Sequence, residues 1–272
     1  MDLSLDRNVK PFVRGLAEAT SRPWVRVLLL PGLSLLAALA AWEAVVRLGN
    51  FPAFILPAPG EVWERFLTAL TNGSLARHSV VTLLEVVLGL LLGVSLATAT
   101  GYLVGKSPLL ERLVSPYLVA SQAIPVVAIA PLLVIWFRTG MTSKILICAL
   151  FVFFPVLVNT VVGVRAVPEN LRDLMRSMRA TPLQTLLYLE VPAALPVFLG
   201  GLRIGATLSV IGAVVGEFVG ADRGLGFLIN VGRGQFDTAL VFVAVFTLIA
   251  MALVLYGLVL LFERRLLAWR EM

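Results

Sequence analysis

Six stretches of this 272-residue chain are long and apolar enough to settle its class before any motif is read. They run from Val27 to Val46, Val80 to Val104, Leu113 to Phe137, Ile145 to Val164, Leu195 to Val219 and Ala239 to Phe262. A helix of about 20 apolar residues, rising ~1.5 Å per residue, crosses the ~30 Å hydrocarbon layer of a bilayer. Lipid offers a backbone no hydrogen-bond partner, so a spanning segment must satisfy its own amides, which helices do and open strands do not. The expected fold class is an all-α integral membrane protein with six transmembrane helices. Composition agrees, with 59% hydrophobic residues, 14% charged and a mean hydropathy of +0.96; soluble domains sit near half and a quarter.

The net charge of +6 does not point to nucleic acid, because the basic residues fall in short segments flanking the apolar runs, where they set membrane orientation. Placing the N-terminus in the cytoplasm puts fourteen Lys and Arg on that side and seven outside, with Arg203 inside the fifth helix. Both termini are therefore expected in the cytoplasm. The basic, polar first 25 residues precede a run long enough to span, so no cleavable leader is expected. Cys148 stands alone in an apolar run and reads as a small buried hydrophobe. His78 has no companion at ligand spacing, and no metal site is expected.

The apolar runs divide the chain into a cytoplasmic segment (1–25), a first spanning helix with an outer amphipathic segment (26–75), a core of five helices (76–263) and a tail (264–272). In the outer segment, Val62, Phe66, Leu67 and Leu70 recur at helical spacing behind Pro57 and Pro59, as in a short interfacial helix. Val9, Phe12, Val13 and Leu16 have similar spacing among basic residues near the N-terminus, which fits a surface helix or a frayed tail.

The segment 168–192, between the fourth and fifth helices, is too charged to cross a bilayer. Leu171, Leu174, Met175 and Met178 occupy one helical face, with Arg172, Arg176 and Arg179 on another. Thr181, Pro182 and Gln184 supply an N-cap, a proline at the first helical position and a capping-box glutamine for a second helix. Leu183, Leu186 and Leu187 give it an apolar face. Pro192 is expected to stop it, since the residue before a proline is pushed out of helical dihedrals. The residues alone allow a headgroup-lying pair of helices or a docking element for a cytoplasmic partner.

Here the sequence resembles a known family. The spacing Glu-Ala-Ala, three residues, Gly, nine residues, Ile, one residue, Leu-Pro is the cytoplasmic signature of permease subunits of binding-protein-dependent ATP-binding-cassette (ABC) importers. In this chain Asp173, Leu174 and Met175 stand in the Glu-Ala-Ala places, Arg179 in the Gly place, Leu189 in the Ile place, and Val191 and Pro192 in the Leu-Pro places. The stretches "LPAPGEV" (56–62), "AIPVVAIAPLLVIWF" (123–137), "LPVFLGGLRIG" (195–205), "GEFVGADRGLGFLI" (216–229) and "FDTALVFVAVF" (236–246) are similar to the nitrate/sulfonate/taurine branch over nearly the whole chain. The resemblance implies a type I permease fold with a coupling helix-turn-helix between helices four and five, in a bacterial inner membrane. It also implies partners: two ATPase subunits, a second permease copy and an extracytoplasmic solute-binding protein. Leu174, Met175, Met178, Leu183 and Leu186 would be buried against the ATPase, with Asp173, Arg172, Arg176 and Arg179 at the rim. Arginine in the glycine place leaves two possibilities: a turn built from ordinary dihedrals, or Arg179 as itself a contact.

This chain is expected to bind no cofactor and to catalyse nothing. It has no Gly-rich phosphate loop with Lys-Ser/Thr, so ATP-Mg would sit on the partner; Gly224-Leu225-Gly226 reads as a turn. No HExxH or Ser/His/Asp grouping suggests a membrane enzyme. The competing class, an ion-coupled carrier or channel, calls for ionisable residues near the midplane, whereas most charges here are peripheral. Candidates for a translocation path are Ser121, Gln122 and Pro125 in the proline-rich third helix, Asn159 in the fourth, and Glu217 as part of an outer gate. Glu85 has no assigned role, Glu43 is expected to pair with Arg47, and Arg203 to snorkel or meet a partner. Arg138, Lys144, Arg223 and Arg233 fall near the outer mouth, where they would suit either an anionic solute or an acidic surface of the binding protein. Substrates served by similar proteins include small oxyanions, alkyl sulfonates and heteroaromatic vitamins or precursors such as pyrimidines or riboflavin.

Overall fold

The computed structural model describes residues 23–123 and 125–268; the side chains of residues 23–31, 119 and 121–123 lie outside the described set. The amphipathic pattern around Val9 and Leu16, and the last four residues, also fall outside it. The chain divides into two compact units, Met1–Glu64 and Arg65–Met272.

In the first unit, α1 (Pro23–Gly49) carries the first apolar run, and Arg47 Nε lies 2.5 Å from Glu43 Oε1 one turn earlier, as the four-residue spacing predicts. The following helix, α2 (Pro59–Thr71), begins in this unit and ends in the next. Pro59 takes its first position, where a missing N–H costs nothing, and the Glu61 carboxylate accepts a bond from the Ala58 amide at 2.8 Å.

The second unit is built on three long helices: α3 (Ser74–Lys106), α6 (Met141–Arg165) and α8 (Pro182–Gly220). The central one, α6, packs along α3 on one side and α8 on the other. Glycine lets both come close. Gly89, Gly93, Gly101 and Gly105 recur on α3; a Cβ on Gly89 would overlap that of Cys148, and one on Gly101 would fall 2.8 Å from the Thr160 Cβ. On α8, a Cβ on Gly212 would lie 2.8 Å from the Cys148 Cα and one on Gly201 2.6 Å from the Asn159 Cβ. Small residues at four-residue spacing therefore make a seam within one chain, without needing a second copy. Cys148, fully buried and unpaired, sits where the two stripes meet α6.

Two expectations about helix ends are corrected. The run Leu113–Phe137 is not one helix: α4 (Pro108–Ala123) and α5 (Val126–Phe137) are separated at residues 124–125. Pro125 has no N–H to donate back into α4, and its ring excludes a continuous helical backbone there. Among the described residues, five helices are consequently long and apolar enough to span a membrane, α5 being a shorter apolar one.

Nor does Pro192 stop the second helix of the 168–192 segment. Helix α8 runs through it to Gly220, with a π-helical turn, Leu186–Glu190, ending two residues before it. Val191 N–H bonds to the Leu186 carbonyl, five residues back. One extra residue in the turn lets the helix absorb the proline's missing donor and ring.

Beyond α8, α9 (Leu225–Gly234) and α10 (Thr238–Leu266) complete the unit, and α7 (Glu169–Ser177) precedes α8. The Asp237 carboxylate caps α10 by accepting from Leu240 N–H at 2.9 Å and pairs with Arg65 of α2 at 2.7 Å.

Candidate functional site

Helix α7 and the start of α8 form a hairpin whose turn answers the question posed by Arg179. Arg179 takes φ +53°, in the left-handed region, so the turn does not use ordinary dihedrals. Its N–H bonds to the Arg176 carbonyl at 2.9 Å, and Ala180 N–H bonds to the Met175 carbonyl at 3.0 Å. These are the two closures of a Schellman C-cap with arginine where glycine is usual. Left-handed geometry costs a non-glycine residue about 1–2 kcal/mol, offset by two terminal carbonyls satisfied. One residue later the predicted capping box is complete: Gln184 N–H donates to Thr181 Oγ1 at 3.3 Å, and Thr181 N–H to Gln184 Oε1 at 2.8 Å.

The apolar residues of the hairpin face outward. Leu174, Met178, Leu183, Leu187 and Tyr188 are all more than half exposed, Met178 at 69%. Met175 and Leu186 are half-buried. Two of the arginines are occupied within the chain: Arg176 pairs with Asp173 at 2.8 Å and Glu169 at 3.4 Å, while Arg172 donates to the Val164 carbonyl of α6 at 2.7 Å. Arg172 thus anchors α7 to the end of α6. Arg165, also at that end, pairs with Glu111 at the start of α4.

Glu190, which sequence reasoning passed over, is only 1% exposed. Its carboxylate receives Lys106 Nζ at 2.5 Å and the Tyr102 hydroxyl at 2.9 Å, both from the last turns of α3. Beside it lies a cavity of about 390 Å³ between α3, α6 and α8, lined by Ala99, Thr160, Leu195 and Phe198 among others.

At the opposite end of the bundle a buried polar cluster holds the turn between α8 and α9. The first amides of α9 have no cap from their own segment. Instead Gly226 N–H donates to the Glu217 carboxylate, Leu225 N–H to Thr82 Oγ1 at 2.8 Å, and Gly224 N–H to His78 Nδ1 at 2.9 Å. Thr82 in turn donates to Glu217 Oε1 at 2.6 Å. Gly224 adopts φ +116°, and a Cβ there would overlap the Glu217 carboxyl. The Gly-Leu-Gly stretch is therefore a turn, as read, and its glycine is demanded by the carboxylate beneath it.

Lys144 is corrected: it is 3% exposed, not at a mouth, and its Nζ lies 3.4 Å from the fully buried Glu85. Glu85 thus has a partner that its position alone did not suggest. Arg203 is likewise corrected, pairing with Glu263 of α10 within the chain at 2.9 Å.

The remaining path candidates are scattered. Asn159 donates to the Pro155 carbonyl of its own helix at 2.8 Å, with its side chain against Gly201. Pro125 is exposed at the α4–α5 break, and Ser121 and Gln122 occupy the last turn of α4. Glu217 bonds to Thr82 and Gly226, and Asn159 to Pro155, so these two candidates are engaged apart from each other.

Comparison with known proteins adds identity to this geometry. Residues 87–268 match the family described as the binding-protein-dependent transport system inner membrane component. The chain is 47% identical to the riboflavin transport system permease protein RibX of Chloroflexus aurantiacus, over 87% of this chain and 88% of the relative. It is 37% identical to the formylaminopyrimidine transport permease protein ThiX of Halalkalibacterium halodurans, covering 89% and 96%. With the taurine transport system permease protein TauC of Escherichia coli it shares 34% identity, covering 87% and 88%. Its fold is similar to that in the crystal structure of an amino acid ABC transporter with histidines, with a TM-score of 0.54 and 20% identity over 74% of this chain and 98% of that one. An all-helical, multi-pass chain with these relatives belongs to the binding-protein-dependent transport family, as a membrane-spanning permease subunit of an ABC transporter.

Proposed function

We propose that this permease serves an importer of a heteroaromatic vitamin or vitamin precursor, with the outward ridge of its 168–192 segment as the docking site for a partner ATPase subunit, one on each of two permease copies. The substrate class is supported by the relatives: identity is 47% and 37% to proteins named for riboflavin and formylaminopyrimidine, against 33% and 34% to those named for aliphatic sulfonates and taurine. The observation that carries the docking role is the exposed ridge of Leu174, Met178, Leu183 and Leu187 on a hairpin whose Arg172, Asp173, Arg176, Thr181 and Gln184 are engaged within the chain. Large exposed apolar side chains on a rigid, polar-rimmed element mark an interaction surface.

The rest follows from this reading. The hairpin and both termini face the cytoplasm, and the Glu217–Thr82–His78 cluster faces outside, where a solute-binding protein delivers its cargo. Six crossings result if α4 and α5 together make the third. Two copies assemble, and the broken helix lines the path they share, since non-helical backbone at membrane depth is tolerated where it is buried or borders a water-filled cavity. Ser121, Gln122 and Pro125 stand at that break. Glu217 closes the outer end by fixing the α8–α9 turn. ATP-Mg is bound and hydrolysed on the partner.

Proteoliposomes holding the permease with its ATPase, supplied with the cognate binding protein, test the proposal. Riboflavin or an aminopyrimidine is expected to accumulate only with internal ATP, and taurine to remain outside. ATP-dependent taurine uptake without flavin or pyrimidine uptake would overturn the substrate class; uptake driven by an ion gradient alone would overturn the transport class.

A further inference from the structure

The most deeply buried charge at the hairpin end belongs to Glu190, a residue outside the signature positions, and several features converge on it. It closes the π turn, and one residue more or less in a helical turn rotates every side chain beyond it by ~100°. The π turn therefore sets the direction of Glu190 relative to the hairpin. That direction is toward α3: Lys106 Nζ at 2.5 Å and Tyr102 Oη at 2.9 Å. The Lys106 ammonium also lies 5.8 Å from the Tyr102 ring centroid, so the three groups form one compact unit. On the other arm of the hairpin, Arg172 is tied to the end of α6. The hairpin thus has two anchors on two helices, one on each arm. Beside the Glu190 anchor lies the 390 Å³ cavity, lined by Leu186, Val191 and Ala194 of α8 and by Ala99 of α3. Space of that size next to a fixed ion pair lets the start of α8 shift while the pair holds its distance.

We propose that Glu190 is a positioning residue for transport, the tie that makes α3 follow the start of α8 when the hairpin is displaced. This rests on the ATPase-docking reading above. Glu190 is buried while its partner Lys106 is 43% exposed, so pulling the donors of α3 away would strand an unpaired carboxylate out of water, and that penalty holds the contact together. Displacement of the hairpin is therefore passed to α3 as movement and not dissipated in a broken contact. The apolar ridge contacts the partner; Glu190 lies on the far side and contacts only this chain.

The experiment compares the reconstituted permease–ATPase complex with its Glu190→Gln and Tyr102→Phe variants, measuring ATPase retention, ATP hydrolysis and solute taken up per ATP. Both variants are expected to retain the ATPase and its basal hydrolysis. Uptake per ATP is expected to fall about tenfold for Glu190→Gln, within the range of typical coupling energies, and less for Tyr102→Phe. Exchange of the charges, Glu190→Lys with Lys106→Glu, is expected to recover part of the loss, which ties the effect to this pair, while retained ATPase and basal hydrolysis separate it from a folding defect. Uptake per ATP at the wild-type value in Glu190→Gln, or in Tyr102→Phe should the first variant not fold, overturns the proposal. A wild-type permease that never retains the ATPase overturns the docking reading, and this inference with it.

Discussion

Arg179 shows how one residue can be legible in kind but not in conformation. The resemblance to the family signature placed it at the turn and marked it as the departure from glycine; the Schellman closures reveal that the backbone keeps the glycine geometry. The turn is held by its two hydrogen bonds, the capping box that follows and Pro182, which together over-determine it. Replacing Arg179 by glycine should therefore stabilise the hairpin by about 0.5–1 kcal/mol relative to Arg179→Ala, the left-handed penalty exceeding the glycine's extra chain entropy. Thermal unfolding of the two variants in detergent checks this; equal midpoints would show that the turn is not strained. Thr82 carries the converse lesson. Nothing in its sequence surroundings singles out a threonine 143 residues from the amide it satisfies. Thr82→Val, of nearly equal shape, strips the Leu225 N–H of its acceptor and Glu217 of a donor, and should cost about 1–3 kcal/mol. A shift of the melting midpoint to lower temperature is the expected result, with His78 and Glu217 left in place.

At the scale of elements, apolar length and helical spacing placed the long helices, because burial in lipid is a property of whole runs. Their interruptions were harder to read. Pro125 and Pro192 are both prolines within apolar runs, yet the first divides two helices and the second is carried inside one. A π turn precedes Pro192, a feature with no local sequence signal. Glycines recur at helical spacing on both α3 and α8, but their meeting at Cys148 needed the packed structure. That crossing yields a prediction. Cys148→Ala should leave the fold intact, with a loss of about 1 kcal/mol or less, whereas Gly212→Leu should abolish it by forcing α6 and α8 apart. Yield of monodisperse protein after membrane extraction distinguishes the two. Equal yields would mean that the seam is looser than the contacts indicate.

For the whole molecule, the family was legible in the sequence because its signature lies in loops and helix ends, whose spacing survives when side chains change. The internal wiring was not. Glu85 with Lys144, Arg203 with Glu263, and Glu190 with Lys106 each join residues at least 59 positions apart, and sequence reading assigned none of these partners. The resulting picture has two rigid ends: a polar cluster fixing the α8–α9 turn at one, and a hairpin tied to α3 and α6 at the other. The hairpin presents its apolar side chains outward on a short, charged element. The account therefore turns on whether another protein covers that ridge. The direct measurement is retention of the ATPase by Met178→Asp permease extracted from membranes. The account predicts normal membrane insertion with the ATPase lost from the purified complex; a full complement of ATPase on the Met178→Asp protein would contradict it.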